Sequence, residues 1–353
     1  MQVGMSCFDS AGRREPFRRR LAAPFNSVRT SRVVTIVLRL FQHTLPWTLC
    51  LIGVHRLSGK NSLRPLSSSS HENSIHRGHV LHLRLKTLES QYRPIPLLTH
   101  SQPAPPAGDI LIHAGDLTST GTFPELDNVL LWLASQPHQH KVFIAGNHDV
   151  GLSAAHQAKS NSSHMSPQYI ASTYPSLTYL QDSSAELRVR GRVLRIYGSP
   201  YTPTQGAWAF QHPRRSDALR ETWARIPPLT DILITHGPPF GHLDLVRETN
   251  AGCAELLASV WRIRPKVHVF GHIHAARGVE YVRWDARQEV YESVLRGESG
   301  WKGVAWLAWH KALDWLTGWG GVGLGDEGTL MVNAAAVGGW RDRELNGAVV
   351  VRV

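Results

Sequence analysis

A chain of 353 residues, 42% hydrophobic and 18% charged, has material for one large or two small domains around a buried core, which excludes global disorder. Its three cysteines, Cys7, Cys50 and Cys253, stand far apart with no CxxC pair, which excludes a disulfide scaffold and a zinc finger. The net charge is +11, but residues 1–107 carry 15 Lys/Arg against 4 Asp/Glu while the remainder carries 23 of each. The folded part is therefore electrically balanced, and no nucleic acid is expected on it.

Residues 1–32 are Arg-rich, with Arg18, Arg19 and Arg20 in a run. The 22 residues from Val33 to Val54 are apolar enough to span a bilayer. Arg39 in their middle weighs against it, at a cost of ~2.5–3.5 kcal/mol on insertion scales. The same segment resembles a mitochondrial presequence, being basic and poor in acids. Residues 1–54 thus read as a membrane anchor, an organellar address or a solvated basic tail, and a cytoplasmic location is the expectation for the chain. Residues 57–79, with Ser67 to Ser70 in a row, read as linker. The expected organisation is a basic, poorly ordered extension over 1–97 and a folded domain over 98–353.

From Pro106 onward short β-rich apolar runs alternate with helical patterns, the signature of an α/β sandwich. The runs are Ile110–Ala114, Val142–Ala145, Val193–Tyr197, Ile232–Thr235, Val267–Phe270, Leu330–Asn333 and Ala348–Val353. Between the first two, Leu126, Val129, Leu130 and Leu133 recur at helical spacing and predict a helix over Phe123–Gln136. Segment 284–326 carries Trp284, Trp301, Trp306, Trp309, Trp315 and Trp319 and reads as an insertion with amphipathic helices. Core packing is the default for its tryptophans, with a lid or a partner surface as the alternatives.

Four of the runs end in polar tips: Gly115-Asp116, Gly146-Asn147-His148-Asp149, His236-Gly237-Pro238-Pro239 and Gly271-His272-Ile273-His274. Singly, each has an ordinary reading as a turn or a satisfied histidine. Together they place carboxylate, amide and imidazole groups at strand ends, where α/β sheets bind ligands. The adjoining glycines permit sharp turns and close backbone approach. Nitrogen and oxygen donors without cysteine point to Mn, Fe, Zn or Mg.

These four blocks resemble the calcineurin-like metallophosphoesterase superfamily, and Pro106-Ala107-Gly108-Asp109-Ile110-Leu111-Ile112-His113-Ala114-Gly115-Asp116-Leu117-Thr118 looks closest to its metallophosphoesterase-domain-containing branch. The resemblance covers residues 98–353 and implies a four-layer α/β-β/α sandwich holding two divalent metal ions. It further implies that Asp116 bridges the ions and that Asn147, His236 and His272 complete the second site. His274 and His100 would serve the first site. His148 would stand near the phosphate and stabilise or protonate the leaving oxygen, with Asp149 as its orienting neighbour or as a turn residue. The implied reaction is hydrolysis of a small phosphodiester or phosphomonoester, a nucleotide among the candidates, by water with no Ser or Cys nucleophile.

One block departs from the pattern. The family's first strand ends in Asp-x-His, and here Leu98-Thr99-His100 puts Leu98 in place of the aspartate. Either the first site keeps only His100, Asp116 and His274, which favours a catalytically weak nucleotide-binding protein, or the translated sequence is wrongly joined just before Thr99. Membrane association, if any, would rest on the N-terminal segment alone.

Overall fold

The computed structural model describes residues 105–160, 164–317, 328–338 and 344–352, together with the backbone of 82–85. His100, Leu98, the remainder of the expected 1–97 extension, and Trp319 lie outside the described residues.

Eleven strands of these residues build two stacked sheets. The first holds β1 (His82–Leu85), β2 (Ile110–Ala114), β3 (His140–Ile144), β4 (Leu177–Tyr179) and β11 (Val349–Arg352), in the order β11-β1-β2-β3-β4. The second holds β5 (Ser183–Val189), β6 (Arg192–Ser199), β7 (Ile232–Thr235), β8 (Val267–Phe270), β9 (Gly278–Arg283) and β10 (Gly328–Asn333), in the order β9-β10-β8-β7-β6-β5. Strands β1 to β4 run parallel, as do β6, β7, β8 and β10, while β11, β9 and β5 are antiparallel edges.

Period-2 alternation explains the layering. Ile110, Ile112 and Ala114, Val142 and Ile144 of the first sheet meet Ile232, Ile234, Val267, Val269 and Val332 of the second in one core between the sheets. The intervening residues face outward. Leu111 and Phe143 pack under α1 (Phe123–Ala134) and α3 (Pro167–Thr173), with Leu126, Leu130, Leu133 and Ile170 as their partners. Leu233, Phe270 and Met331 pack under α4 (Asp217–Ala224) and α5 (Ala254–Ile263). Strands buried on both faces read as continuous apolar runs, and every predicted run in the folded part is a strand here. The result is the four-layer α/β-β/α sandwich.

Strand β1 is a finding that the sequence did not offer. Its four residues lie inside the segment read as an extension, yet they pair in parallel with Ile110–Ile112 of β2 and antiparallel with β11. The sheet slot next to β2 is thus filled from a position well before His100. Between β3 and α3 runs the short helix α2 (Ala154–Ser160). The Trp-rich insertion joins β9 to β10 and contains α6 (Ala286–Leu295) and α7 (Gly300–Thr317), tied by the Arg287–Asp314 ion pair and packed through Val290, Val294, Val304 and Leu307. Trp284 is buried, while Trp301 and Trp309 are exposed. Among the described residues no helix is long and apolar enough to cross a membrane.

Candidate metal centre

Parallel strands β2, β3, β7 and β8 all end at one edge of the sandwich, and their four polar tips meet there. The turn after β2 is left-handed at both residues, with φ of +94° at Gly115 and +52° at Asp116. Glycine accepts that conformation freely, whereas an aspartate in it stores strain of a kind that collects at functional sites. His272, after β8, has φ of +66° and carries the same signature. The glycines admit close approach. A Cβ on Gly146 would lie 2.2 Å from the Asp116 backbone nitrogen, and one on Gly115 would lie 2.6 Å from His236 Nδ1. Gly146→Ala is therefore expected to push the Asp116 turn outward and to lower metal affinity about tenfold or more, the range of changes around metal ligands. Equilibrium metal titration against the unmodified protein checks it.

The donor set is explicit in the hydrogen bonding. His236 is fully buried, and its Nδ1 lies 2.9 Å from the Ala114 carbonyl oxygen. A carbonyl only accepts, so Nδ1 carries the hydrogen and the neutral ring turns the Nε2 lone pair the other way. Nε2 lies 2.9 Å from Asn147 Oδ1 and 3.3 Å from Asp116 Oδ2. Three acceptor atoms thus face one another in a buried space, an arrangement that a cation or a shared proton satisfies. The His272 ring stands 4.8 Å from that of His236, and the donor atoms of Asp116, His236 and His272 all fall within 4.8 Å of one another. Burial, reinforced by His236, pushes the His272 imidazole down to about 3, so it is neutral and able to ligate at physiological pH. Burial acts to raise the Asp116 carboxyl, whereas positive charge on the His236 side, a proton on that ring or a cation in its place, holds it below the usual carboxylate range.

The outer contacts of the site are equally specific. Asp116 Oδ1 accepts from the His148 backbone nitrogen at 2.9 Å, joining the two loops. His148 Nδ1 donates to the Ser119 carbonyl at 3.0 Å, and its ring lies 4.2 Å from that of Trp208. Asn333, at the end of β10, donates from Nδ2 to the Ile273 and Leu243 carbonyls at 2.9 and 3.0 Å and so fixes the turn that carries His272.

The structure brings Asp116, Asn147, His236 and His272 together and sets His148 beside them. His274 lies in a short turn, His274–Ala276, outside the group of three converging ligands. Of the two expectations for Asp149, orienting neighbour of His148 or turn residue, its hydrogen bonds fit the second. It is fully buried and faces the other way, accepting from the Gly146, Leu117 and Thr118 backbone nitrogens at 2.8, 3.1 and 2.9 Å and from Thr118 Oγ1 at 2.8 Å. Burial and the nearby Asp116 charge push its carboxyl up to about 6. Its work is to clamp the two ligand loops, and the Ser119 carbonyl orients His148 instead. The contributions of Trp208 and Ser119 are absent from the sequence reading, whereas Asn333 stands there as a polar residue ending a strand, able to point at the site but with no ligand role.

An α/β sandwich with a buried oxygen and imidazole cation site at its strand ends defines a metal-using class of protein. The chain belongs to the calcineurin-like phosphoesterase family, whose description matches residues 75–276, and that family works with divalent metals. The chain is 44% identical over 199 residues to metallophosphoesterase domain-containing protein 1 of Homo sapiens, covering 51% of this chain and 60% of that one. It is 42% identical over 276 residues to probable rhamnogalacturonate lyase C of Emericella nidulans, covering 77% of this chain and 25% of that protein. A UPF0046 protein of Caenorhabditis elegans is 38% identical over 184 residues, 49% of this chain and 63% of its own length. The chain thus spans a quarter to about three fifths of the relatives it matches.

Proposed function

We propose that the chain hydrolyses a small phosphodiester or phosphomonoester, a nucleotide among the candidates, by metal-assisted attack of water. The observation that carries this reading is the convergence of Asp116 Oδ2, Asn147 Oδ1 and His236 Nε2 on one buried point with His272 beside it. One divalent cation on these four residues, and a second sharing Asp116 with His274 and His100, would acidify the attacking water and neutralise the phosphoryl oxygens. The chain's own part is to hold the donors deprotonated and rigid. His236 does so through the Ala114 carbonyl, His272 through burial and Asp116 through the His148 backbone nitrogen that donates to it. Because Ser119 holds one His148 hydrogen on Nδ1, Nε2 is the nitrogen that would take up a second proton and, from the imidazolium so formed, pass it to the leaving oxygen.

The test is hydrolysis of bis(4-nitrophenyl) phosphate by protein stripped with a chelator and reloaded with Mn²⁺. Activity is expected to depend on the added metal. On a phenyl or alkyl phosphodiester, whose leaving oxygen needs a proton, His148→Ala is expected to lower kcat by about 10²-fold, the low end for loss of a general acid. Equal rates in the two proteins would remove the proton-transfer role. A second reading, a catalytically weak nucleotide-binding protein, is favoured by Leu98 where the family carries a metal-binding aspartate. Calorimetric binding of a mononucleotide without turnover would select it.

A further inference from the structure

We infer that Trp208 is the positioning residue for His148. This inference rests on the hydrolase reading above and adds a device for aiming its proton donor.

An imidazole on a surface loop has two torsions to lose. A single hydrogen bond through Nδ1 fixes the donor direction but leaves the ring plane free to swing about it. His148 is held at a second place. The Trp208 indole lies with its centroid 4.2 Å from the imidazole centroid, the planes tilted by 40°. That is within the range at which aromatic pairs gain energy from geometry as well as from buried area. The Ser119 carbonyl and the Trp208 ring come from different loops, one after β2 and one after β6, so they constrain the imidazole independently.

The loop that presents Trp208 is built to keep it there. Thr202 pairs with Gln211 and Pro203 with His212 at its base, and the Thr202 and Thr204 nitrogens donate to the Phe210 and His212 carbonyls at 3.0 and 2.8 Å. Ala209 and Phe210, directly after the tryptophan, are buried in the core under the first sheet. The Tyr201 ring stacks on His212 at 4.5 Å. The Ala209 nitrogen donates to the Asn147 carbonyl at 3.2 Å, which ties the Trp208 loop to the loop carrying the metal ligand Asn147 and His148 itself. At the exposed tip, a Cβ on Gly206 would lie 3.3 Å from the edge of the indole, so the tip folds back over the ring. Trp208 is half-buried, with anchors on both sides and its face spent on His148.

A proton donor matters most when the leaving oxygen is a poor one. A positioning role therefore predicts a selective effect. Trp208→Ala is expected to lower kcat about tenfold for a phenyl or alkyl phosphodiester, part of what general-acid catalysis contributes. KM and the rate on bis(4-nitrophenyl) phosphate, whose leaving group needs no proton, are expected to stay within about twofold, because uniform binding is not what the residue provides. Trp208→Phe keeps a ring face and is expected to recover most of the loss. In a His148→Ala background, Trp208→Ala is expected to do nothing further, the signature of residues acting as one unit. Independently of turnover, histidine-selective ¹⁵N NMR, with His148 assigned by its loss in His148→Ala, is expected to show sharp ring signals in the unmodified protein and shifted or exchange-broadened ones in Trp208→Ala, as the ring plane gains freedom about the Ser119 hydrogen bond. Equal losses on both substrates, an additive effect in the His148→Ala background, or unchanged His148 signals would each overturn the inference. If the unmodified protein hydrolyses neither ester, the hydrolase reading falls while the NMR comparison still decides the Trp208 contact.

Discussion

Asp116→Asn is expected to abolish metal-dependent phosphoester hydrolysis, with a loss of about 10³-fold or more, while leaving the fold intact. The loss follows from charge. Among the described residues Asp116 is the only carboxylate of the converging donors, which are otherwise amide and imidazole groups. A carboxylate among cation ligands offsets cation charge, and loss of one electrostatic partner at a reaction centre is worth ~2.7–4 kcal/mol, a factor of 10²–10³, before metal affinity is counted. Retention of the fold follows from shape. Asparagine fits the space, accepts from the His148 nitrogen as Oδ1 does now, and is among the residues that best tolerate a φ of +52°. The two effects separate experimentally. The unmodified protein is expected to gain thermal stability on addition of Mn²⁺, because a ligand that binds only the native state stabilises it in proportion to RT ln(1 + [L]/Kd). Asp116→Asn is expected to melt cooperatively but with a midpoint indifferent to Mn²⁺. A full Mn²⁺-dependent shift in the variant would mean that the cation is held elsewhere.

What the sequence discloses and what it conceals divides along physical lines. Ile110–Ala114, Ile232–Thr235 and Val267–Phe270 are strands buried on both faces and apolar but for His113, Thr235 and His268, so they announce themselves. Edge strands obey no such rule. Ser183–Val189 and Gly278–Arg283 face solvent along one side and carry Glu186, Arg188, Glu280 and Arg283, which makes them look like loops. Strand β1 is only four residues long, HLRL, and its place depends on partners at Ile110–Ile112 and Val349–Arg352 that no local pattern reveals. The site divides in the same way. Asp116, Asn147, His236 and His272 were legible because a polar residue beside glycine at the end of a buried strand has few other reasons to exist. His148 and Asp149 are neighbours in the chain but face opposite ways, one toward Trp208 and Ser119, the other into the loop clamp. Residue type alone cannot assign such a pair.

His242→Leu is expected to destabilise the protein by ~3–5 kcal/mol at pH 7, the usual cost of breaking a buried ion pair by removing one partner. His242 follows the His236-Gly237-Pro238-Pro239 tip by a few residues and is almost wholly buried between two carboxylates. Its Nδ1 meets Glu280 of β9 and its Nε2 lies 3.2 Å from Glu292 of α6. Glu292 is itself buried and accepts from Trp261 Nε1 at 2.7 Å and Gln288 Nε2 at 2.9 Å. One imidazolium thus joins the loop beside the metal ligands, the edge of the second sheet and the inserted helices. Leucine would leave the Glu292 charge buried with neutral donors and the more distant Arg296, whose guanidinium lies 3.7 Å away. Burial acts to lower the His242 imidazole, but Glu280 and Glu292 together raise it to about 10. Since the folded value lies above the unfolded one of about 6.5, its stabilisation is complete below about pH 6.5 and is lost as pH rises through the folded value. The difference in stability between the unmodified protein and His242→Leu is accordingly expected to narrow steadily from pH 7 to pH 10 in urea unfolding. Glu292→Gln in the His242→Leu background is expected to recover part of the loss, because it removes the stranded charge and keeps an acceptor for Trp261. A gap that widened with pH would show that the imidazole is neutral in the fold and that the two glutamates are balanced by other groups.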